Sequence, residues 1–217
     1  MHKMHKYYIV SGLISGICIM LLISRVYISG NITYAFLIWN LFLAWIPFLL
    51  SRVLVEKHSE FSKIKLVLIF SAWLLFFPNA PYIITDLIHL KQKSGIPLWF
   101  DLILIFSFIW NGLVLAFLSL LEVHKVILAY YSPSISWFTI SLTLLLSGFG
   151  IYLGRFERWN SWDLAFHPLS FIDNVTNSIC NPELLPRIAG VTFGFGMLLF
   201  VAYFTFYQLA NSRKNLE

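Results

Sequence analysis

LWFDLILIFSFIWNGLVLAFLSLL, residues 98–121, decides the fold. A helix needs about 20 predominantly apolar residues to cross the roughly 30 Å hydrocarbon core of a bilayer, and this run supplies them. Five further apolar runs flank it, at 7–28, 32–53, 64–77, 135–153 and 187–209. Backbone polar groups find no water in the bilayer, so each crossing run is expected to be helical. The alternating segments of about ten residues that mark a transmembrane β-barrel do not occur. The runs therefore predict an all-α, polytopic transmembrane bundle of about six spans. It forms one integral membrane domain over residues 1–217, with short interfacial or re-entrant helices after the third and fifth spans.

Composition agrees. The chain is 59% hydrophobic, 18% aromatic and only 12% charged, with a mean hydropathy of +0.79. A soluble domain is about half apolar and about a quarter charged, so too few polar residues remain to coat a surface facing water. The first run follows a basic start but is long and lacks a small-residue cleavage site, so it reads as an uncleaved span and not a signal peptide.

Lysine and arginine orient such a chain. With the N-terminus cytoplasmic, the inner segments hold Lys3, Lys6, Arg52, Lys57, Lys63, Lys65, Lys125, Arg213 and Lys214. The outer segments hold Arg25, Lys91, Lys93, Arg155, Arg158 and Arg187. Nine against six favours both termini inside. The net charge of +5 follows from this excess. No basic face interleaved with aromatics suggests a nucleic-acid partner. Cys18 in the first span and Cys180 in the last long loop predict no disulfide. Zinc-helix, nucleophile-elbow and phosphate-loop signatures are all missing from the sequence.

Two polar stretches interrupt the apolar pattern. The first is FFPNAPYIITDLIHL, residues 76–90. The run before it, 64–77, is about 21 Å of helix at 1.5 Å per residue, short of the core thickness. Pro78 and Pro81 thus predict a break near the outer interface, where non-helical backbone must be packed in protein or line a wet cavity. Asn79 is suited to hydrogen-bond the freed backbone groups, and Pro81 to the first turn of a new helix. If 81–90 is helical, Tyr82, Asp86 and His89 share one stripe with Thr85 beside it. Asp86 and His89 are candidate catalytic groups, and equally a pair that fixes a helix.

The second is GFGIYLGRFERWNSWD, residues 148–163. In a six-span chain it lies on the same side as the first. Arg155 and Arg158 are candidates for holding a lipid phosphate, Arg155 also being the expected charge partner of Asp86. Trp159 and Trp162 suit interface anchors, and Asn160 and Asp163 complete a polar motif. Asp163 and His167, with Asp86 and His89, are weak candidates for a metal site, so no metal and no cofactor is assigned. Pro168 would open another short helix toward residue 181, with Leu169, Ile172, Val175 and Ile179 on one face, lying along the interface.

Within the spans, Asn40 and Asn111 are placed to bridge helices. Gly12 and Gly16, Gly150 and Gly154, and Gly190 and Gly194 are small-residue pairs that let helices approach closely.

PNAPYIITDLIHL and GRFERWNSWD resemble the signature segments of a family of bacterial integral membrane proteins, the domain-of-unknown-function 1361 family. The resemblance runs from about residue 35 to 210. It implies a multi-pass protein of a bacterial plasma membrane and carries no activity, substrate or cofactor. Three function classes follow from the residues. One is a non-catalytic membrane module, acting as assembly partner, sensor or lipid-binding unit, with membrane lipids and another membrane protein as its partners. The second is a membrane-embedded enzyme acting on a lipid or envelope precursor at the outer interface, with Asp86 or His89 as acid or base. The third is a small transporter, disfavoured because no span carries a central charge and no inverted repeat is evident.

Overall fold

The computed structural model describes residues 2–92 and 95–212. Lys93, Arg213 and Lys214, which enter the orientation count, lie outside the described residues, as do the side chains of Lys3 and Lys6. The described chain is helical without strands, and six of its helices are long and apolar enough to cross a bilayer. The elements in order are α1 (His2–Ser29), α2 (Phe36–Lys57), α3 (Lys63–Phe76), a single turn α4 (Asn79–Tyr82), a 3-10 segment (Ile83–His89), α5 (Leu98–Tyr130), α6 (Pro133–Tyr152), a π turn (Leu153–Glu157), α7 (Asp163–Phe166), α8 (Pro168–Cys180) and α9 (Leu185–Ser212).

Helix α5 is the most buried span. Helices α1, α2, α4 and α6 pack around it, and α9 packs mainly on α6. Large apolar side chains on the outer faces stay uncovered, among them Leu13 (63% exposed), Leu68 (64%), Phe138 (69%) and Met197 (69%). Such faces are stable against lipid chains and not against water. The short connections are set by side-chain caps: Ser62 accepts from the Lys65 amide before α3 and Ser132 from the Ile135 amide before α6, each taking up an orphan donor of the first turn.

Several boundaries differ from the hydropathy runs. Asn31 accepts from the Thr33 amide at 2.8 Å, which holds a turn there and delays α2 to Phe36. Helix α5 runs on to Tyr130, beyond its apolar stretch. The third span does stop its regular α-helix at Phe76, but the chain does not leave the bundle at Pro78. Phe77, Pro78 and Ile83 all keep right-handed helical dihedrals, so Lys63–His89 is one continuous 27-residue path. Proline removes a donor, yet its fixed φ is helical, and side chains replace the lost backbone bonds. Asn79 Nδ2 donates to the Phe76 carbonyl at 2.9 Å, and Ser161 Oγ donates to the Leu75 carbonyl at 3.0 Å. The fifth span likewise continues past 153 through the π turn to Glu157.

Close helix approach occurs at some of the expected glycines and at others not expected. A Cβ on Gly150 would lie 2.8 Å from the Pro78 ring, and one on Gly154 3.0 Å from the Tyr82 ring. Gly12, Gly16, Gly190 and Gly194 meet nothing within 4 Å, so these two pairs mediate no helix contact. The tightest crossings are instead at Gly148, whose Cβ would fall 2.2 Å from the Thr192 carbonyl oxygen, and at Gly112, 2.7 Å from that of Ala80. Cys18 is buried and Cys180 exposed, both as free thiols.

Buried polar groups tie the spans together in pairs. Arg25 meets Asp101 at 3.1 Å, both side chains at most 2% exposed. Toward the other end of the bundle Arg52 meets Glu122 at 3.1 Å, and its Nε donates to the Tyr8 hydroxyl at 3.1 Å. Between them Asn111 and Trp45 both donate to Ser15, so Asn111 does bridge helices. Charges at this depth persist only when paired.

Candidate functional site

The two polar stretches meet at one end of the bundle. Arg155, on the π turn, is the hub. Its Nη2 lies 2.6 Å from Asp86 Oδ1, its Nε donates to Thr85 Oγ1 at 2.9 Å, and Nη2 also donates to that hydroxyl. Nη1 is 3.0 Å from His89 Nε2, and the guanidinium carbon sits 4.7 Å from the centroid of the Tyr82 ring. One side chain thus touches every member of the stripe formed by Tyr82, Thr85, Asp86 and His89.

The 3-10 winding explains how. With three residues per turn, side chains at i and i+3 eclipse. Tyr82 and Thr85 form one column, Asp86 and His89 the next, and a planar guanidinium reaches both. Ile83 is buried beside Asp86 while Leu87 and Ile88 are exposed, so the polar side of the segment faces the bundle.

Asp86 is 1% exposed, and both its oxygens are engaged. Oδ1 takes Arg155, and Oδ2 accepts from Asn40 Nδ2 of α2 at 2.7 Å. Asn40 therefore does bridge helices, by holding the buried carboxylate. His89 is exposed, with its ring edge-on to Phe36 at 5.1 Å. Its Nε2, facing a guanidinium, must act as the acceptor, which puts the ring proton on Nδ1.

The remaining candidates are distributed around this hub. Pro81 is buried in α4. Asn79 reaches across to Ser161 Oγ at 2.8 Å, fastening the loop after the fifth span to the third. Asn160 donates from its backbone and its Nδ2 to Asp163 Oδ2, closing the turn before α7. Arg158 is exposed in the left-handed region at φ 59° and makes no ion pair among the described residues. Glu157 instead accepts from the Tyr152 hydroxyl at 2.7 Å. Arg155 is already committed to Asp86, Thr85 and His89. Trp159 and Trp162 pack inward as well as outward: Trp159 donates to Asn174 and lies edge-on to Phe171, and Trp162 meets Trp39.

The proposed metal ligands are not brought together. Among the described residues no group of three or more His, Cys, Asp or Glu could hold an ion. Between Asp86 and His89 the positive charge is supplied by the guanidinium itself. His167 is an exposed residue outside α7, joined to Asp163 only through its backbone amide. Helix α8 forms over Pro168–Cys180 as expected, and Leu169 (77%), Ile172 (54%) and Ile179 (45%) lie uncovered on it.

A cavity of about 480 Å³ opens beside the hub, between α2, α3 and α6 and the α7–α8 segment. The first stretch lines it with Pro78, Asn79 and Tyr82. The second contributes Gly154, Trp159, Asn160 and Ser161. Its volume falls in the roughly 300–1,000 Å³ range of small-molecule sites.

A sequence model of the family described as "Protein of unknown function (DUF1361)" matches residues 39–210. The chain belongs to the DUF1361 family. No curated protein and no solved structure matches it. The DUF1361 match spans the hub, the cavity and five of the six spans; α1 lies outside it. Sequence reasoning missed Asn40 as the second partner of Asp86 and Ser161 as the link to Asn79. The signal for Asn40 was available: a carboxylate near the hydrocarbon needs donors on both oxygens, and Asn40 is the amide of the second span.

Proposed function

We propose that this protein is a non-catalytic membrane module that holds a lipid-like amphiphile in the cavity between its two polar stretches. One observation carries the reading: residues of both stretches line a single cavity of about 480 Å³, while their charged groups are spent on each other. The buried carboxylate has both oxygens occupied, and the imidazole Nε2 accepts from Arg155. Asp86 has no free oxygen to offer, and neither Asp86 nor His89 lines the cavity, which argues against using either as acid or base on a molecule bound there. The hub works instead as a fastening that holds the third and fifth spans together beside the cavity. The excess of inner lysine and arginine supports cytoplasmic termini, with the cavity then at the outer side of a bacterial plasma membrane.

The test is native mass spectrometry of the detergent-purified protein beside a Ser71→Trp variant. Ser71 is exposed on the cavity wall, so the indole should fill the space without disturbing the core. Wild type should carry a co-purified amphiphile, and the variant should lose it while keeping its helical content. Equal retention by both, or none by wild type, would defeat the proposal.

A further inference from the structure

We propose, resting on the cavity reading above, that the ligand is an amphiphile with an uncharged, hydroxyl-bearing head. The side chains around the cavity carry no lysine, arginine, histidine, aspartate or glutamate. A bare phosphate or ammonium would leave water there with no opposite charge to meet it, which is costly. The polar character comes from three amides, Asn40, Asn79 and Asn160, with hydroxyls from Ser71, Tyr82 and Ser161.

The hydrogen-bond bookkeeping of those amides is lopsided. Asn40 Nδ2 is committed to Asp86, Asn79 Nδ2 to both Phe76 O and Ser161 Oγ, and Asn160 Nδ2 to Asp163. Carboxylate and carbonyl oxygens only accept here, so each amide must present its nitrogen to them and its orientation is fixed. All three Oδ1 atoms are left without a protein partner among the described residues, and those of Asn40 and Asn79 are not sealed off by protein. Four of the six amide N–H bonds are used and none of the three carbonyl oxygens. The uncommitted donors are one N–H each on Asn40 and Asn160 and the Trp39 indole, itself half exposed. The Ser161 hydroxyl is satisfied in both directions, and those of Ser71 and Tyr82 can serve either role. A head group that donates several hydrogen bonds without charge fits this set. One that only accepts leaves all three amide oxygens with no partner but water.

The wild-type protein in phosphatidylcholine nanodiscs tests this with three probes of one chain length: a 1-monoacylglycerol, its dimethyl ether and the corresponding alkyl phosphate. Dimethylation removes the donors and keeps the oxygens and the chain. The monoacylglycerol should be retained at least about tenfold better than the ether, as expected for two hydrogen bonds, and the phosphate should not compete. Equal retention of monoacylglycerol and ether, both displaced in Ser71→Trp, would leave the cavity reading standing and overturn the donor rule. Preference for the alkyl phosphate would overturn it too. Binding of none of the three would overturn both.

Discussion

Arg155→Gln should be the more damaging half of the Asp86–Arg155 pair. The Asp86 side chain is 2% exposed and that of Arg155 17%, so the carboxylate has no route to water and the guanidinium has a partial one. Removing Arg155 strands a buried charge with Asn40 as its only remaining side-chain donor, a loss of about 3–5 kcal/mol. Asp86→Asn keeps the shape and an oxygen for Asn40, and leaves Arg155 to hydrate at its exposed edge. Its loss is that of a charge-assisted hydrogen bond, about 1.5–3 kcal/mol. The double variant strands nothing, so about 2 kcal/mol of the summed losses should be absent. The assay is equilibrium unfolding of all four proteins in mixed micelles, following helical content against added denaturing detergent. A coupling below about 0.5 kcal/mol, within the spread for independent sites, would refute the reasoning. So would a larger loss for Asp86→Asn than for Arg155→Gln.

Three further outcomes follow from the packing and the topology. Gly148→Ala, whose Cβ would meet the Thr192 carbonyl oxygen, should lower stability by about 1–3 kcal/mol through overpacking, whereas Gly12→Ala, with open space around it, should be neutral or gain up to about 1 kcal/mol from helix propensity; the same unfolding assay separates them. Ser161→Ala removes the acceptor for Asn79 and the donor to the Leu75 carbonyl and should cost about 1–3 kcal/mol, read as a shift in the unfolding midpoint. Reporter fusions after Leu90 and Asp163 should both report the external side, and opposite locations for the two would contradict a bundle in which Arg155 reaches Asp86.

The spans were legible because hydrophobic length is a local property: each run announces itself without reference to the others. The stripe of Tyr82, Asp86 and His89 was legible for the same reason, through helical spacing, and its cost in a membrane pointed to Arg155 as the compensating charge. What stayed hidden depends on residues far apart in the chain. Arg25 and Asp101 are 76 residues apart and Arg52 and Glu122 are 70, and nothing in either neighbourhood names the other. Their presence near the ends of apolar runs was itself a sign that partners had to exist. Gly150 and Gly154 do pack, but the pairs Gly12–Gly16 and Gly190–Gly194 were misread, because a pair spaced by four marks a face that can pack, not one that does. Gly112 and Gly148 show the opposite case, single glycines placed where another helix's carbonyl crosses. The break at Pro78 was legible, but its outcome was not, since Ser161 supplies a repair from 83 residues downstream, beyond any local rule.

The π turn at Leu153–Glu157 also constrains insertions and deletions. Such a turn holds one residue more than the α-helix needs, and its wider winding absorbs that residue locally. Deleting Phe156 would let the fifth span relax into ordinary winding, with every apolar residue before it still facing its former neighbour. The span would insert as before, but the loop that begins at Arg158 would be one residue shorter, drawing Trp159 and Ser161 away from their places on the cavity wall. At this place the chain can change its sequence more freely than its length, and a one-residue deletion here should release any bound amphiphile as completely as filling the cavity does.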